Sequence, residues 1–248
     1  MPAQLSRLLL VIVLLSGGPA MGGEIRVAVA SNFSPALEHI ARRFEAATGH
    51  RVIIVAGSTG KHYAQIRNGA PFDLFFAADV RRPRLLEEAG AAIPGSRFTY
   101  AIGRLVLWSP EPGYVDAGGE VLARPGLRHL AIANPRLAPY GAAAREVLEG
   151  LGFWALLRDR VVRGENIAQA YQFVASGNAE LGLVARSQLV RPGRAREGSW
   201  WTVPKTLHGP IEQQALLLRD TEATRALLAF VRGEEAASVI RSFGYETP

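Results

Sequence analysis

Hydrophobic residues along the chain follow two repeating patterns. Short, mostly apolar runs bounded by small or polar residues predict β-strands, and they span 24–30, 51–56, 72–77, 100–109, 130–133, 181–185, 199–203 and 211–219. Segments with apolar residues three or four positions apart predict amphipathic helices, and they span 33–48, the stretch from 57–60 to 68–69, 83–89, 142–148, 166–176, 221–231 and 234–243. Strand–helix alternation of this length indicates βαβ units around a parallel sheet.

The alternation occurs in two blocks. In the first block, the run 51–56 is nearly all apolar, which predicts a strand covered on both faces. The segment 100–109, with Gly103 near its start, is long enough to cross to the second block, and 211–219 is long enough to return. We therefore predict an α/β protein of two α/β lobes joined by two crossing strands, with a ligand cleft between the lobes. Lobe 1 would comprise 24–101 plus 209–248, and lobe 2 would comprise 102–208.

The first 23 residues predict a secretory signal peptide. Arg7 supplies a positive charge, residues 8–15 form an uninterrupted apolar run, and small residues at 16–20 follow it. This apolar run is far shorter than the roughly 20 residues that a membrane-spanning helix requires. The mature chain, from Glu24 onward, is therefore expected to be periplasmic and not embedded in the membrane.

Composition narrows the possible partners. The sequence contains no cysteine, which excludes disulfides, lipid attachment at a processed signal peptide, and thiolate metal sites. The formal net charge of +6 at pH 7 favours anions. Because the arginines are dispersed along predicted helical faces, as at 42–43 and 81–84, no nucleic-acid partner is expected.

The sequence lacks motifs of catalysis. The loop 57–62 resembles a nucleotide-binding P-loop only in part, because Val55 stands where that motif needs glycine and His62 where it needs serine or threonine. No G-x-S-x-G motif for a serine nucleophile occurs. The five histidines are scattered and are predicted to lie at the surface, so neither a resident metal site nor a cofactor is expected. The protein is predicted not to be an enzyme.

Four loops share a feature that points to a ligand. Each opens a predicted helix with small polar residues or a proline turn, and they are Ser31-Asn32, Ser58-Thr59-Gly60, Pro139-Tyr140-Gly141 and Glu165-Asn166-Ile167. Helix N-termini carry unpaired N–H groups and a partial positive charge, so such loops suit anions. Serine, threonine and asparagine are also the commonest helix N-caps. Each loop taken alone is therefore explained at least as well by capping.

At these same loops the sequence resembles the molybdate-binding proteins of bacterial ABC importers, which have the type II periplasmic binding-protein fold. The matching blocks are VAVASNF (27–33), AGSTGKHYAQI (56–66), NGAPFDLFFAAD (68–79), NPRLAPYG (134–141), GENIAQAY (164–171) and AELGLVA (179–185). The block with the form GAPxDLFxxAD is the most specific. The resemblance extends from Glu24 to the C-terminus.

The resemblance implies a ligand, a site and a partner. The ligand would be molybdate or tungstate, with the metal held as its oxyanion and not by direct coordination. The implied site residues are Ser31, Asn32, Ser58, Thr59, and the backbone N–H groups of Tyr140 and Ile167. The lobes would close over the anion by hinges near 101–104 and 206–212, and the closed form would be recognised by a membrane permease of an ABC importer. A monomer is expected.

One position departs from the family pattern, and three other functions stay open. Many members carry a tyrosine after the LGLV-type strand, where this sequence has Ala185. One alternative is a carrier of sulfate, phosphate or ferric ion, although ferric carriers typically use adjacent tyrosines, and this chain has no such pair. The others are an enzyme on a similar two-lobed scaffold, which would need a nucleophile–base pair, and a ligand sensor without a transport role.

Overall fold

The structure, a computed structural model, describes residues 22–193, 195 and 197–248, so nearly all of the predicted signal peptide lies outside the described residues. The strands are β1 (Glu24–Ala30), β2 (Arg51–Gly57), β3 (Leu74–Ala77), β4 (Phe98–Gly103), β5 (Leu105–Ser109), β6 (Leu130–Ala133), β7 (Val161–Gly164), β8 (Leu181–Ala185), β9 (Ser199–Thr202) and β10 (Ile211–Leu217). The α-helices are α1 (Ser34–Thr48), α2 (Thr59–Arg67), α3 (Arg81–Glu88), α4 (Pro139–Gly150), α5 (Trp154–Leu157), α6 (Ile167–Ala175), α7 (Arg186–Leu189), α8 (Glu222–Arg232) and α9 (Glu234–Ser242).

These strands form two mixed five-stranded sheets, with the orders β2-β1-β3-β10-β4 and β7-β6-β8-β5-β9. In the first sheet, β1 pairs in parallel with β2 and β3, and β10 runs antiparallel to β3 and β4. In the second, β6 pairs in parallel with β7 and β8, and β5 runs antiparallel to β8 and β9. The predicted fold class, two α/β lobes, is therefore confirmed.

The predicted long strand at 100–109 is broken into two strands that belong to different sheets. Strand β4 ends its pairing with β10 at Gly103, and β5 begins its pairing with β8 at Leu105. Between them, the Arg104 guanidinium forms an ion pair with Glu246. The chain therefore crosses between the sheets at one residue, Arg104, because its neighbours on either side already pair with different partners. The exact lobe boundaries stay a prediction.

The prediction that the run 51–56 is covered on both faces is wrong. Strand β2 is the edge strand of the first sheet and pairs only with β1. Val52 and Ile54 pack against the core beneath α1, whereas Val55 on the other face is 39% exposed. An apolar run indicates a strand, but it does not show whether both faces of that strand are covered.

Each sheet has its own core, and the core of the second lobe also includes Ala30, Ala78 and Ile211 of the first. In the first lobe, apolar residues of α1 such as Leu37, Ile40 and Phe44 pack on the inner residues of β1. In the second lobe, β5, β6 and β8 are buried beneath α4, with Val147 and Leu148 in the core. Within the described part of the chain, no helix has the length and apolar character needed to cross a membrane.

The parallel strands position the functional loops. Strands β1 and β2 lead into α1 and α2, and β6 and β7 lead into α4 and α6. In α/β sheets, ligands bind beyond the carboxyl ends of parallel strands. Four strand ends, two from each sheet, therefore deliver four helix starts to the cleft between the lobes.

Candidate functional site

All six residues predicted for the site line a single cavity between the sheets, and they are Ser31, Asn32, Ser58, Thr59, Tyr140 and Ile167. None of them is more than 9% exposed. The remaining wall consists of Ala30, Gly57, Ala78, Ala138, Pro139 and Asn166. The cavity is therefore shared between the two sheets, and no charged side chain lines it.

The first turn of α2 leaves one backbone N–H without a protein partner. The Lys61 N–H donates to the Ser58 hydroxyl at 3.3 Å, which makes Ser58 the N-cap of the helix. The Gly60 N–H donates across the cleft to the Leu137 carbonyl at 2.8 Å. The Thr59 N–H has no hydrogen-bond partner among the described residues.

The start of α4 shows the same arrangement. Pro139 has no N–H to donate. The N–H groups of Gly141 and Ala142 both donate to the Ala138 carbonyl, at 2.9 and 3.1 Å. The Tyr140 N–H, which lines the cavity, is left without a partner in the described part of the chain.

Helix α6 also leaves a single free N–H in its first turn. The Gln169 N–H donates to the Asn166 side-chain oxygen at 3.1 Å, so Asn166 is the N-cap. The Ala168 N–H donates across the cleft to the Ser31 hydroxyl at 3.3 Å. The Ile167 N–H has no described partner.

The turn after β1 and the residue after β2 complete the set. The Ser31 N–H donates to Gly57 and the Phe33 N–H to Ala30, at 2.9 and 2.8 Å. Among the buried residues that line the cavity, five therefore have an N–H group without a described partner, and they are Asn32, Ser58, Thr59, Tyr140 and Ile167; the half-buried Asn166 has another. A buried N–H without a partner costs about 1–3 kcal/mol. Five of them around one cavity are accounted for by a ligand that only accepts hydrogen bonds.

One hydroxyl group, that of Thr59, adds to these donors, whereas the Ser31 hydroxyl bridges to the other lobe. The Thr59 hydroxyl oxygen accepts the Ala78 N–H at 3.0 Å, which holds the oxygen in place and leaves its proton free to donate. The Ser31 hydroxyl donates to the Asn166 side-chain oxygen at 3.1 Å. Capping therefore explains Ser58 and Asn166, but it does not explain Thr59 or Ser31.

The Asn32 side chain points away from the cavity. Its amide nitrogen donates to Gln213 at 2.7 Å and to the Tyr245 hydroxyl at 3.0 Å. Asn32 therefore offers its backbone N–H to a ligand, while its side chain holds the turn against β10. The sequence analysis did not identify Gln213 or Tyr245. The signal available for Gln213 was a pair of glutamines, Gln213-Gln214, inside the otherwise apolar run 211–219.

Gln213 is the centre of a buried polar network behind the cavity. Its side-chain oxygen accepts from the Tyr100 hydroxyl at 3.2 Å, and its side-chain nitrogen donates to the Tyr140 hydroxyl at 3.3 Å. Burial raises the pKa of Tyr100, Tyr140 and Tyr245 above the ordinary value. The three phenols are therefore neutral, and the network links both lobes without a buried charge.

Ala185 is buried but does not line the cavity. Its N–H donates to the Gln188 side chain at 2.9 Å, and Gln188 in turn donates to the Ile167 carbonyl at 3.0 Å. Gln188, another residue that sequence reasoning missed, therefore supports the helix start that carries the Ile167 N–H.

His62 corrects the prediction that all histidines lie at the surface. It is 2% exposed, and its ring packs edge-on against Phe72 and Phe75. Its Nδ1 lies 3.1 Å from the Gln65 side-chain oxygen, and burial lowers the pKa of His62 below the ordinary value. The inner face of α2 packs on the sheet. Predicting a helix from the sequence does not show which of its faces is buried, so the burial of His62 could not be predicted.

Across the described residues, no group of three or more acidic, histidine or cysteine side chains is placed to hold a metal ion.

This chain is similar to known proteins in both sequence and fold. The family model for bacterial extracellular solute-binding protein matches residues 25–246. The molybdate-binding protein ModA of Azotobacter vinelandii is 49% identical over 252 residues, covering 99% of both chains. The ModA of Rhodobacter capsulatus is 47% identical, covering 92% of this chain and 90% of that protein. The solved structure of the A. vinelandii periplasmic molybdate-binding protein superposes with a TM-score of 0.87 at 44% identity, covering 90% of this chain and 99% of that one.

Proposed function

The chain belongs to the bacterial extracellular solute-binding proteins, in their molybdate-binding branch, and we propose that its cavity captures molybdate or tungstate as the intact tetrahedral oxyanion. The observation that carries this proposal is the set of five buried, unpartnered N–H groups around a cavity without charged side chains. A fully ionised oxyanion has no proton to donate, so it is matched by partners that only donate. The helix starts supply the compensating partial positive charge.

The strength of such a site can be bounded. A hydrogen bond to a charged group contributes about 1.5–3 kcal/mol. The cavity offers five buried N–H groups and the Thr59 hydroxyl, while association and lobe ordering cost roughly 4–15 kcal/mol. The remainder is compatible with micromolar to nanomolar affinity. Selection among oxyanions of equal charge would depend on size, because a smaller anion cannot reach donors on both lobes at once.

Capture would proceed by hinge closure. We propose that the anion first meets Ser31 and Thr59 on lobe 1, and that lobe 2 then brings the Tyr140 and Ile167 N–H groups over it. The crossing at Arg104 would be one hinge and the segment before β10 the other. Contacts already join the lobes around the cavity, among them the bond from Ser31 to Asn166 and that from Gly60 to Leu137.

The cellular role follows from capture. The protein would act in the periplasm after removal of its signal peptide, and the closed form would deliver the anion to the permease of an ABC importer as a monomer. It would perform no chemistry on the anion. Supporting this, the cavity contains donors and small residues, and neither an acid–base pair nor a nucleophile–base pair lines it.

The test is calorimetric titration of the ligand-free mature protein with molybdate, tungstate, sulfate and phosphate in separate runs. We expect tight one-to-one binding of molybdate and tungstate and no measurable heat with sulfate or phosphate. Comparable affinity for sulfate or phosphate would support the alternative, a carrier of smaller oxyanions. The absence of measurable binding heat with all four anions would contradict oxyanion capture.

A further inference from the structure

Arg82, at the start of α3, joins the two lobes beside the cavity without lining it. Its backbone N–H donates to the Asp79 carboxylate at 2.9 Å, and its guanidinium forms an ion pair with the same carboxylate. The same guanidinium donates to the Arg136 carbonyl in lobe 2 at 2.9 Å. The Arg82 and Asp79 side chains are only 15% and 17% exposed, so solvent screens the contact less than it would a surface pair.

The next carbonyl of lobe 2 is held as well. The Leu137 carbonyl accepts the Gly60 N–H at 2.8 Å. A β-carbon at Gly60 would lie 2.9 Å from the Leu137 oxygen and 3.1 Å from the Arg82 guanidinium nitrogen. Two consecutive carbonyls of lobe 2 are therefore bound by two donors of lobe 1, and this close approach requires glycine at residue 60. We call this arrangement, made by Gly60, Arg82, Arg136 and Leu137, the carbonyl clasp.

The carbonyl clasp holds the turn at residues 134–138, which directly precedes the start of α4 and the Tyr140 N–H. Within this turn, the N–H groups of Leu137 and Ala138 both donate to the Asn134 carbonyl, at 3.0 and 2.8 Å. The turn is thus internally braced, and Tyr140 follows two residues after Ala138. The position of the clasped carbonyls therefore determines where the Tyr140 N–H lies in the cavity.

We propose that Arg82 is a positioning residue that slows release of the captured anion by clasping lobe 2 in the closed form. This inference rests on the proposed function, since it assumes hinge closure over an oxyanion. The clasp exists only when the lobes are together, so its free energy is lost on opening. A contact present only in the closed form lowers the dissociation rate constant and leaves the rate of first encounter unchanged.

Charge alone does not explain the placement of Arg82. Its positive charge is neutralised by Asp79 at the same site, which reduces any long-range attraction of anions. Lysine would not replace it, because an ammonium group cannot bond a carboxylate and a carbonyl with the fixed geometry of a guanidinium. Arg81, the preceding residue of α3, is exposed and lines the same surface depression as Arg82 and Arg136. It therefore provides a matched control of equal charge.

The experiment compares Arg82→Gln with Arg81→Gln in the mature protein. The dissociation rate constant is measured by chasing radiolabelled molybdate with excess unlabelled molybdate, and Kd is measured by calorimetry. We expect Arg82→Gln to raise the dissociation rate constant roughly tenfold, with the association rate constant unchanged, and Arg81→Gln to leave the dissociation rate constant as in the wild type. Asp79→Asn is expected to act in the same direction, and the double variant with Arg82→Gln to be less than additive.

The outcomes separate the clasp from the proposed function. An unchanged dissociation rate constant in Arg82→Gln, or equal effects of both arginine variants, would overturn the clasp while leaving oxyanion capture intact.

If the wild-type protein does not bind molybdate, the proposed function fails, and the clasp is tested on the ligand-free protein instead. The chain has no cysteine, so spin labels on Glu88→Cys and Asp159→Cys report the distance between lobes. Arg82→Gln must then shift the distances towards the open form relative to Arg81→Gln, and identical distributions would refute the clasp.

Discussion

A β-carbon at residue 103 would lie 2.1 Å from the hydroxyl oxygen of Tyr140. Gly103 ends β4 beside the lobe crossing, whereas Tyr140 is the second residue of α4 in the other lobe. The Tyr140 hydroxyl thus occupies the space that a side chain at residue 103 would need, next to the Gln213 amide. Because the Tyr140 N–H lines the cavity, the packing at the crossing and the geometry of the site are coupled through one residue.

Gly103→Ala is expected to destabilise the protein and to weaken molybdate binding together. The added methyl group must displace the Tyr140 ring, and overpacking of a core costs about 1–3 kcal/mol. Displacing the ring also moves the N–H that it carries. Chemical denaturation and calorimetry measure the two effects.

The matched control is Gly150→Ala at the end of α4, where a β-carbon would meet nothing within 4 Å. It should be close to wild type in both measurements. Adding Tyr140→Phe to Gly103→Ala removes the clashing oxygen and should recover part of the lost stability. No recovery in the double variant would show that the clash is not the cause.

Thr59→Val is expected to weaken molybdate binding at least tenfold, which corresponds to about 1.4 kcal/mol. The substitution keeps the shape of the side chain but removes the hydroxyl proton that we propose donates to the anion, and it leaves the Ala78 N–H without its acceptor. Thr59→Ser keeps the hydroxyl and should bind within a few-fold of wild type. Calorimetry on both variants decides the point, and equal affinities would remove the Thr59 hydroxyl from the site.

Ser58→Ala is expected to lower stability more than affinity. The Ser58 hydroxyl caps α2 through the Lys61 N–H, and loss of an N-cap costs roughly 0.5–2 kcal/mol. The backbone N–H of residue 58 remains in place, so molybdate affinity should change only a few-fold. A large loss of affinity with unchanged stability would instead assign the hydroxyl itself to the anion.

Acid is expected to destabilise the protein through His62. Burial lowers the pKa of this side chain below its ordinary value of 6.5, so the unfolded chain takes up a proton before the folded chain does. The free energy of unfolding should therefore fall as the pH drops from about 6.5 towards the lowered pKa of the folded state. His62→Gln should flatten this part of the pH profile, whereas His129→Gln, at an exposed histidine, should not. Denaturant titrations between pH 5 and 8 test this, and parallel profiles for wild type and His62→Gln would count against it.

Local pattern was enough to predict most elements and all four loops of the cavity. The runs at 130–133 and 181–185 coincide with β6 and β8, because the alternation of apolar runs and helices depends on neighbours along the chain. Donor-rich helix starts are equally local, since a helix always leaves its first N–H groups unpaired. The six predicted residues consequently lie around one cavity, and their roles as ligands stay a prediction.

Tertiary structure decided what depends on partners that are distant in sequence. The break at Arg104 arises because β4 and β5 pair in different sheets, and the exposure of Val55 depends on which elements cover that face of β2. Asn32 turns its amide towards Gln213, which is remote in sequence, so no local pattern could reveal it. Which of the donors in the first turns remain free was likewise set by contacts across the cleft, such as that from Gly60 to Leu137. The sequence by itself determined where donors are available, and the packing of the two lobes determined which of them are left for a ligand.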